Sequence, residues 1–143
     1  MKKGLNLLII IGLILFVSFA LIPSKIDYTD QAKVLQGLSH AAVYKKTVEE
    51  YWKDKGELPS GDDWNSNENK VAVDFSKSLV DSIHVGQDGP GTITVYYTNA
   101  KDEAAPADIT GKKIILTPEA QDNQLIWSCK GTIPAQYLPV RCK

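Results

Sequence analysis

From Leu5 to Ile22 the chain is apolar at almost every position, broken only by Asn6, Gly12 and Ser18, and Pro23 closes the run. As a helix this stretch extends roughly 27 Å at ~1.5 Å per residue, close to the ~30 Å of a bilayer's hydrocarbon core. Within it Leu7, Ile10, Ile14, Val17 and Leu21 recur at three and four, the spacing of a helix face that packs against other helices. Lys2 and Lys3 precede the run and favour a cytoplasmic N-terminus, which places residues beyond Pro23 on the far side of the membrane. Ser18-Phe19-Ala20 offers small residues at signal-peptidase spacing, so a secretion signal cleaved near Ala20 is the competing interpretation. Under both, the rest of the chain is exported.

Ile26 to Lys55 comes next with no Gly/Ser-rich linker and predicts a second helical stretch. Ala32, Leu35, Leu38, Ala42 and Val48, then Tyr51 and Trp52, form one apolar stripe, with Lys33, Gln36, Lys45, Lys46, Glu49 and Lys53 on the other faces. Lys55 in the last turn, Gly56 as C-cap and Pro59 beyond it supply a stop. The two stretches together imply a spine of about 50 residues, far longer than the ~11–12 of an average helix. Beyond Pro59 the period changes from 3.6 to 2. Val80–Val85, Thr92–Thr98, Lys113–Thr117 and Gln124–Cys129 predict four strands, with turns at Gly86–Gly91, Asn99–Gly111 and Pro118–Asn123. Ile93, Val95 and Tyr97 alternate with Thr92, Thr94 and Tyr96, so one face of an antiparallel meander is buried, with the amphipathic helix as its cover. The fold class is therefore α+β.

At 143 residues the chain has room for one compact unit beside the apolar run. Setting Lys2 and Lys3 aside leaves 14 cations against 17 carboxylates, which argues against a nucleic-acid footprint. Cys129 and Cys142 fit neither a zinc ribbon nor a C-x-x-C redox pair; in an exported chain the natural interpretation is one disulfide, the alternative being two free thiols. His40 and His84 lack ligand partners at useful spacing and read as surface or hydrogen-bonded histidines. Asp62, Asp63 and Glu68 make no convincing acid/base pair, and no nucleophile elbow or phosphate-binding glycine loop is present. Asp63 to Asp74 echoes the spacing of a calcium loop, but Glu68 stands at the turn glycine and Asp74 at the bidentate glutamate, so a solvated loop is expected. No cofactor, metal or enzymatic activity is expected.

Several strings carry a family resemblance. They are Ile22-Pro23, then Asp27-Tyr28-Thr29-Asp30-Gln31-Ala32-Lys33, Gln36-Gly37-Leu38-Ser39, and Glu50-Tyr51-Trp52 with Gly56 and Pro59. More specific is the C-terminal set: Gly111 to Pro118, then Trp127-Ser128-Cys129-Lys130-Gly131-Thr132-Ile133-Pro134, and Tyr137-Leu138-Pro139 before Cys142. The chain resembles a type IVa pilin. The resemblance implies a ladle: a long N-terminal α-helical spine whose first half protrudes, its second half packed on a four-stranded antiparallel sheet, and a C-terminal disulfide loop. It divides the chain into residues 1–23, membrane anchor and filament core, and residues 24–143, the globular head.

The resemblance also implies a function: a structural subunit held in the inner membrane, then polymerised by pilus machinery with copies of itself into an extracellular filament for adhesion, twitching motility or DNA uptake. A membrane-retained minor subunit and a secreted binding module are the alternatives. Such pilins carry a glutamate one turn after the processed residue. Registering on Ile22-Pro23 puts Asn6 there, whereas taking Gly4 as the cleavage glycine puts Ile9 there. Asn6 is the better match because an amide keeps the polarity, though it cannot make the family's charge pair. The expected assembly residues are Asn6, Leu7, Ile10, Ile14, Val17, Leu21 and Pro23. The loop closed by Cys129 and Cys142 is the candidate receptor surface, with Lys130, Gln136, Tyr137 and Arg141 as its contacts. The rival is a staple in which Ile133, Leu138 and Val140 turn inward.

Overall fold

The computed structural model describes residues 28–66, 71–97 and 106–142. The apolar run with Asn6, Leu7, Ile10, Ile14, Val17, Leu21 and Pro23 lies outside the described residues, as do the 1–23 and 24–143 boundary and Thr98. No described helix is long and apolar enough to cross a membrane.

Helix α1 spans Tyr28–Lys55, about 42 Å at ~1.5 Å per residue. Asp30 in its first turn and Lys53 and Lys55 in its last suit the helix dipole. Gly56 ends it at φ 77°, its N–H donating 2.8 Å to the Trp52 carbonyl, which is the C-cap expected. The buried face is a correction to the predicted stripe. It runs Val34, Gly37, Ala41, Tyr44, Val48, a strict three-four alternation, with Leu38 and Trp52 at its margin. Ala32 and Ala42 are exposed and Leu35 is 39% exposed. The cause is steric. A Cβ on Gly37 would sit 2.8 Å from Cζ of Tyr97, so the helix approaches the sheet where its own side chains are smallest. Hydrophobicity counting misses such a face because glycine scores as neither apolar nor polar.

The sheet is an antiparallel meander in the order β1 (Val80–Val85), β2 (Ile93–Tyr97), β3 (Lys113–Gln121), β4 (Gln124–Gly131). On β2, Ile93, Val95 and Tyr97 are fully or almost fully buried, as expected, but Thr92 and Thr94 on the opposite face are buried too, so burial does not follow the alternation. The Tyr97 hydroxyl donates to the Val34 carbonyl at 2.8 Å, and burial pushes its pKa well above the ordinary range. A short helix α2, Gly61–Ser66, lies beside β1; there the backbones of Gly61 and Gly86 meet so closely that a Cβ on Gly86 would stand 3.0 Å from Cα of Gly61.

Strands β3 and β4 run further than predicted. They meet at Asp122 (φ 48°) and Asn123 (φ 61°), a two-residue turn flanked by the Gln121–Gln124 pair, where both turn residues take the left-handed conformation that Asp and Asn tolerate. Pro118 does not stop β3. Strand β2 ends its pairing at Ile93 opposite Leu116, so no neighbour on that side needs the hydrogen bond proline lacks.

Candidate functional site

Cys129 on β4 and Cys142, in the 3-10 turn Val140–Cys142, are joined as a disulfide with their Cα atoms 4.6 Å apart. Free thiols are thereby excluded for this pair. Two local turns shape the enclosed loop: Tyr137 N–H donates to Pro134 at 3.0 Å, and Cys142 N–H to Pro139 at 2.9 Å. They point Ile133, Tyr137 and Leu138 into the core, leaving Lys130, Gln136, Val140 and Arg141 outside. Tyr137 is only 8% exposed, so its ring contributes core packing rather than a presented aromatic surface; Val140, at 84%, faces solvent instead of turning inward. The anchor and the outward face are therefore combined in one loop.

The aromatic group that does meet solvent beside this loop is Trp127 on β4, half-buried. Its Nε1–H donates to Glu49 Oε1 at 3.1 Å, and Lys45 Nζ stands 5.1 Å from its ring centre. Burial holds the Lys45 amine below its usual pKa; Glu49 pulls it up and the nearby Arg141 pushes it down again. Between α1 and the loop lies a groove of about 440 Å³, floored by Leu38, Ala42, Leu116 and the disulfide and bordered by Trp127 and Arg141. Of these residues only Arg141 and the cysteines stand out in sequence. Lys45, Glu49 and Trp127 converge from helix and strand, and their one legible signal is that Lys45 and Glu49 share a helix face.

A second cluster lies on the sheet's outer face. Asp88 accepts from Thr94 Oγ1 at 2.6 Å and from Lys113 Nζ at 3.0 Å, which together hold its carboxyl below the usual range. Lys113 also sits 5.8 Å from the Tyr96 ring centre. This closes the β1–β2 turn over Thr94. His84 is exposed, its Nε2 3.2 Å from Ser82 Oγ. His40 differs from the expected satisfied histidine: its ring stands edge-on to Phe75 at 5.4 Å while Nε2 is buried with no hydrogen-bond partner among the described residues. Among the described residues no group of His, Cys, Asp and Glu could hold a metal. Of the calcium-like string, residues 63–66 belong to helix α2, Trp64 is core, and Asp74 Oδ1 accepts from Ser76 N–H at 2.8 Å.

A long helix seated on a four-stranded antiparallel meander with a C-terminal disulfide is the architecture of a pilin-like head. The pilin family, bacterial filament proteins, matches residues 31–143. Over 134 residues the chain is 31% identical to a fimbrial protein of Neisseria meningitidis serogroup A / serotype 4A (strain DSM 15465 / Z2491), covering 90% of this chain and 73% of the relative. Over 136 residues it is 27% identical to the type IV major pilin protein PilE of Neisseria gonorrhoeae, covering 90% and 74%. The chain belongs to the pilin family, as a type IV pilin. It is a structural subunit of a bacterial surface filament and not an enzyme.

Proposed function

We propose that this pilin polymerises through its N-terminal apolar segment, residues 1–23, into the core of a type IV pilus, with residues 24–143 tiling the outside. Before assembly that segment holds the subunit in the inner membrane, where pilus machinery collects it; afterwards the filament is extracellular. The observation that carries the reading is the near-unbroken apolar run from Leu5 to Ile22, followed by no Gly/Ser-rich stretch before α1 begins at Tyr28. Lipid is as apolar as leucine, so Leu7, Ile10, Ile14, Val17 and Leu21 associate by close helix packing rather than by expelling water, and Pro23 marks where the anchor ends. Attachment to surfaces falls to the outward residues of the disulfide loop, Lys130 and Gln136, because a covalently closed loop loses little entropy on binding. Twitching motility or DNA uptake would use the same filament.

Expression of Ile14→Asp in a host with pilus machinery tests this, since a charge at a helix centre costs at least ~2.5 kcal/mol in lipid. Sheared filaments should vanish; filaments at wild-type yield would overturn the assembly role. One observation favours a second reading. Asn6 stands where the resembled family carries a glutamate, which suits a membrane-retained minor subunit. Asn6→Glu should raise filament yield if the missing carboxylate limits assembly. Unchanged or lower yield would count against that limit.

A further inference from the structure

Lys45 and Arg141 face one groove, close enough for Arg141 to press the Lys45 pKa down, and neither forms an ion pair among the described residues. Glu49 stands nearby but is engaged by the Trp127 indole N–H. With Lys45 and Arg141 against the one carboxylate of Glu49, the rim keeps an excess positive charge over a floor of Leu38, Ala42 and the disulfide. It offers no array of neutral hydrogen-bonding side chains for a sugar. What fits it is a carboxylate on a short, mostly unbranched stretch of backbone.

The same chain presents such a group. From Glu119 to Gln124 every residue of the β3–β4 hairpin is exposed, and the tip carries Glu119, Ala120 and Asp122, two carboxylates with no ion pair among the described residues. The hairpin overhangs the sheet, because β2 pairs with β3 only as far as Leu116. It also points lengthwise. Strand β3 starts beside Tyr97, which bonds to Val34 near the start of α1, and Pro118 faces Trp127, which bonds to Glu49 well along the helix. Continuing that line carries the tip toward the C-terminal end of α1, while the groove opens at its middle.

Building on the proposed assembly of this chain into filaments, we propose that the acidic hairpin tip of one copy, Glu119 to Asp122, docks in the groove of the next, against Lys45 and Arg141. Two different patches offset along one axis make a head-to-tail contact, which repeats into an open array instead of closing on a pair. The excess positive charge of the rim then meets a carboxylate of the hairpin tip. Such a rim contact sets register between heads and weakens as salt rises.

Sheared wild-type filaments of the full-length chain, treated with a carbodiimide, test this without any substitution. The reagent joins only carboxylates and amines already in contact. A dimer band whose digest joins Glu119 or Asp122 to Lys45 is the expected result; dimer bands in which Lys45 is joined to neither overturn the contact. Charge reversal provides the second arm. Arg141→Glu and Glu119→Lys should each lower filament yield about tenfold, and the double variant should recover most of it, because like charges brought together across an interface are strongly disfavoured. A double variant no better than the singles overturns the proposal while leaving the filament reading intact. Wild-type protein that makes no filaments overturns that reading, and this contact with it.

Discussion

Along α1 the contact with the sheet changes character between Val34 and Glu49. At the first end, Gly37 brings backbone against the Tyr97 ring, and one buried hydrogen bond runs from a phenol to a helix carbonyl. At the second, Glu49 and Lys45 surround an indole half open to solvent, beside a groove that two cations border. The first contact leaves no space and no unused charge. The second leaves both. Close packing punishes any change of volume, so the Gly37 end holds the head together, whereas a charged and wet margin tolerates substitution and is free to serve a partner.

The widest separation between these ends should come from Gly37→Val. Two methyl groups would enter the Tyr97 ring, and overpacking together with loss of the Tyr97–Val34 bond should cost about 3–4 kcal/mol, read by chemical denaturation of the purified pilin. A loss under ~1 kcal/mol would mean that the helix can shift away from the sheet, and that the contact is not close-packed.

Next comes the loop that borders the wet margin. Cys129→Ser should lower stability by about 3 kcal/mol, the chain-entropy value for a loop near this size, while leaving α1 helical by circular dichroism. Because Ile133, Tyr137 and Leu138 are core, Tyr137→Ala should also destabilise, by about 3 kcal/mol. If adhesion falls in Tyr137→Ala only in proportion to folded protein, the ring acts as packing; a selective loss of adhesion at normal stability would restore it to the receptor surface.

Tyr97→Phe and Trp127→Phe compare the two polar contacts directly. The first removes a buried bond and should cost about 1 kcal/mol; the second removes one that water can replace and should cost less, in paired urea melts. The reverse order would sink the distinction between a dry end and a wet one.

The smallest effect belongs to the outer face. Asp88 has its carboxyl lowered on folding by Thr94 and then Lys113, so the native state binds fewer protons there. Its contribution is present above the unfolded value of ~3.9 and is lost as pH falls through the lower folded value. Lys113 is raised by the Asp88 hydrogen bond, so its share is complete below ~10.4 and disappears as pH rises through the higher folded value. Asp88→Asn should flatten both limbs of a stability-against-pH curve. An unchanged acid limb would mean the pair does not survive in solution.

Local chemistry made much of this fold legible in the sequence. The Gly56 cap, the burial of Ile93, Val95 and Tyr97 and the pairing of Cys129 with Cys142 are each legible from nearby chemistry, and α1 and the four strands stand in the predicted order, though the short helix Gly61–Ser66 is not among the predicted elements. Three things required the tertiary structure. Which face of α1 is buried depended on the fit of Gly37 to Tyr97, residues far apart in the chain, and apolarity favoured the wrong stripe. The length of β3 depended on where its neighbour β2 stops, which removed the penalty on Pro118. The groove of Lys45, Trp127 and Arg141 arises from three separate elements whose order in the chain carries no trace of the contact. Periodicity reports only whether a residue avoids water, and it is silent on which surface receives it, because that is settled by shape and charge brought together from distant parts of the chain.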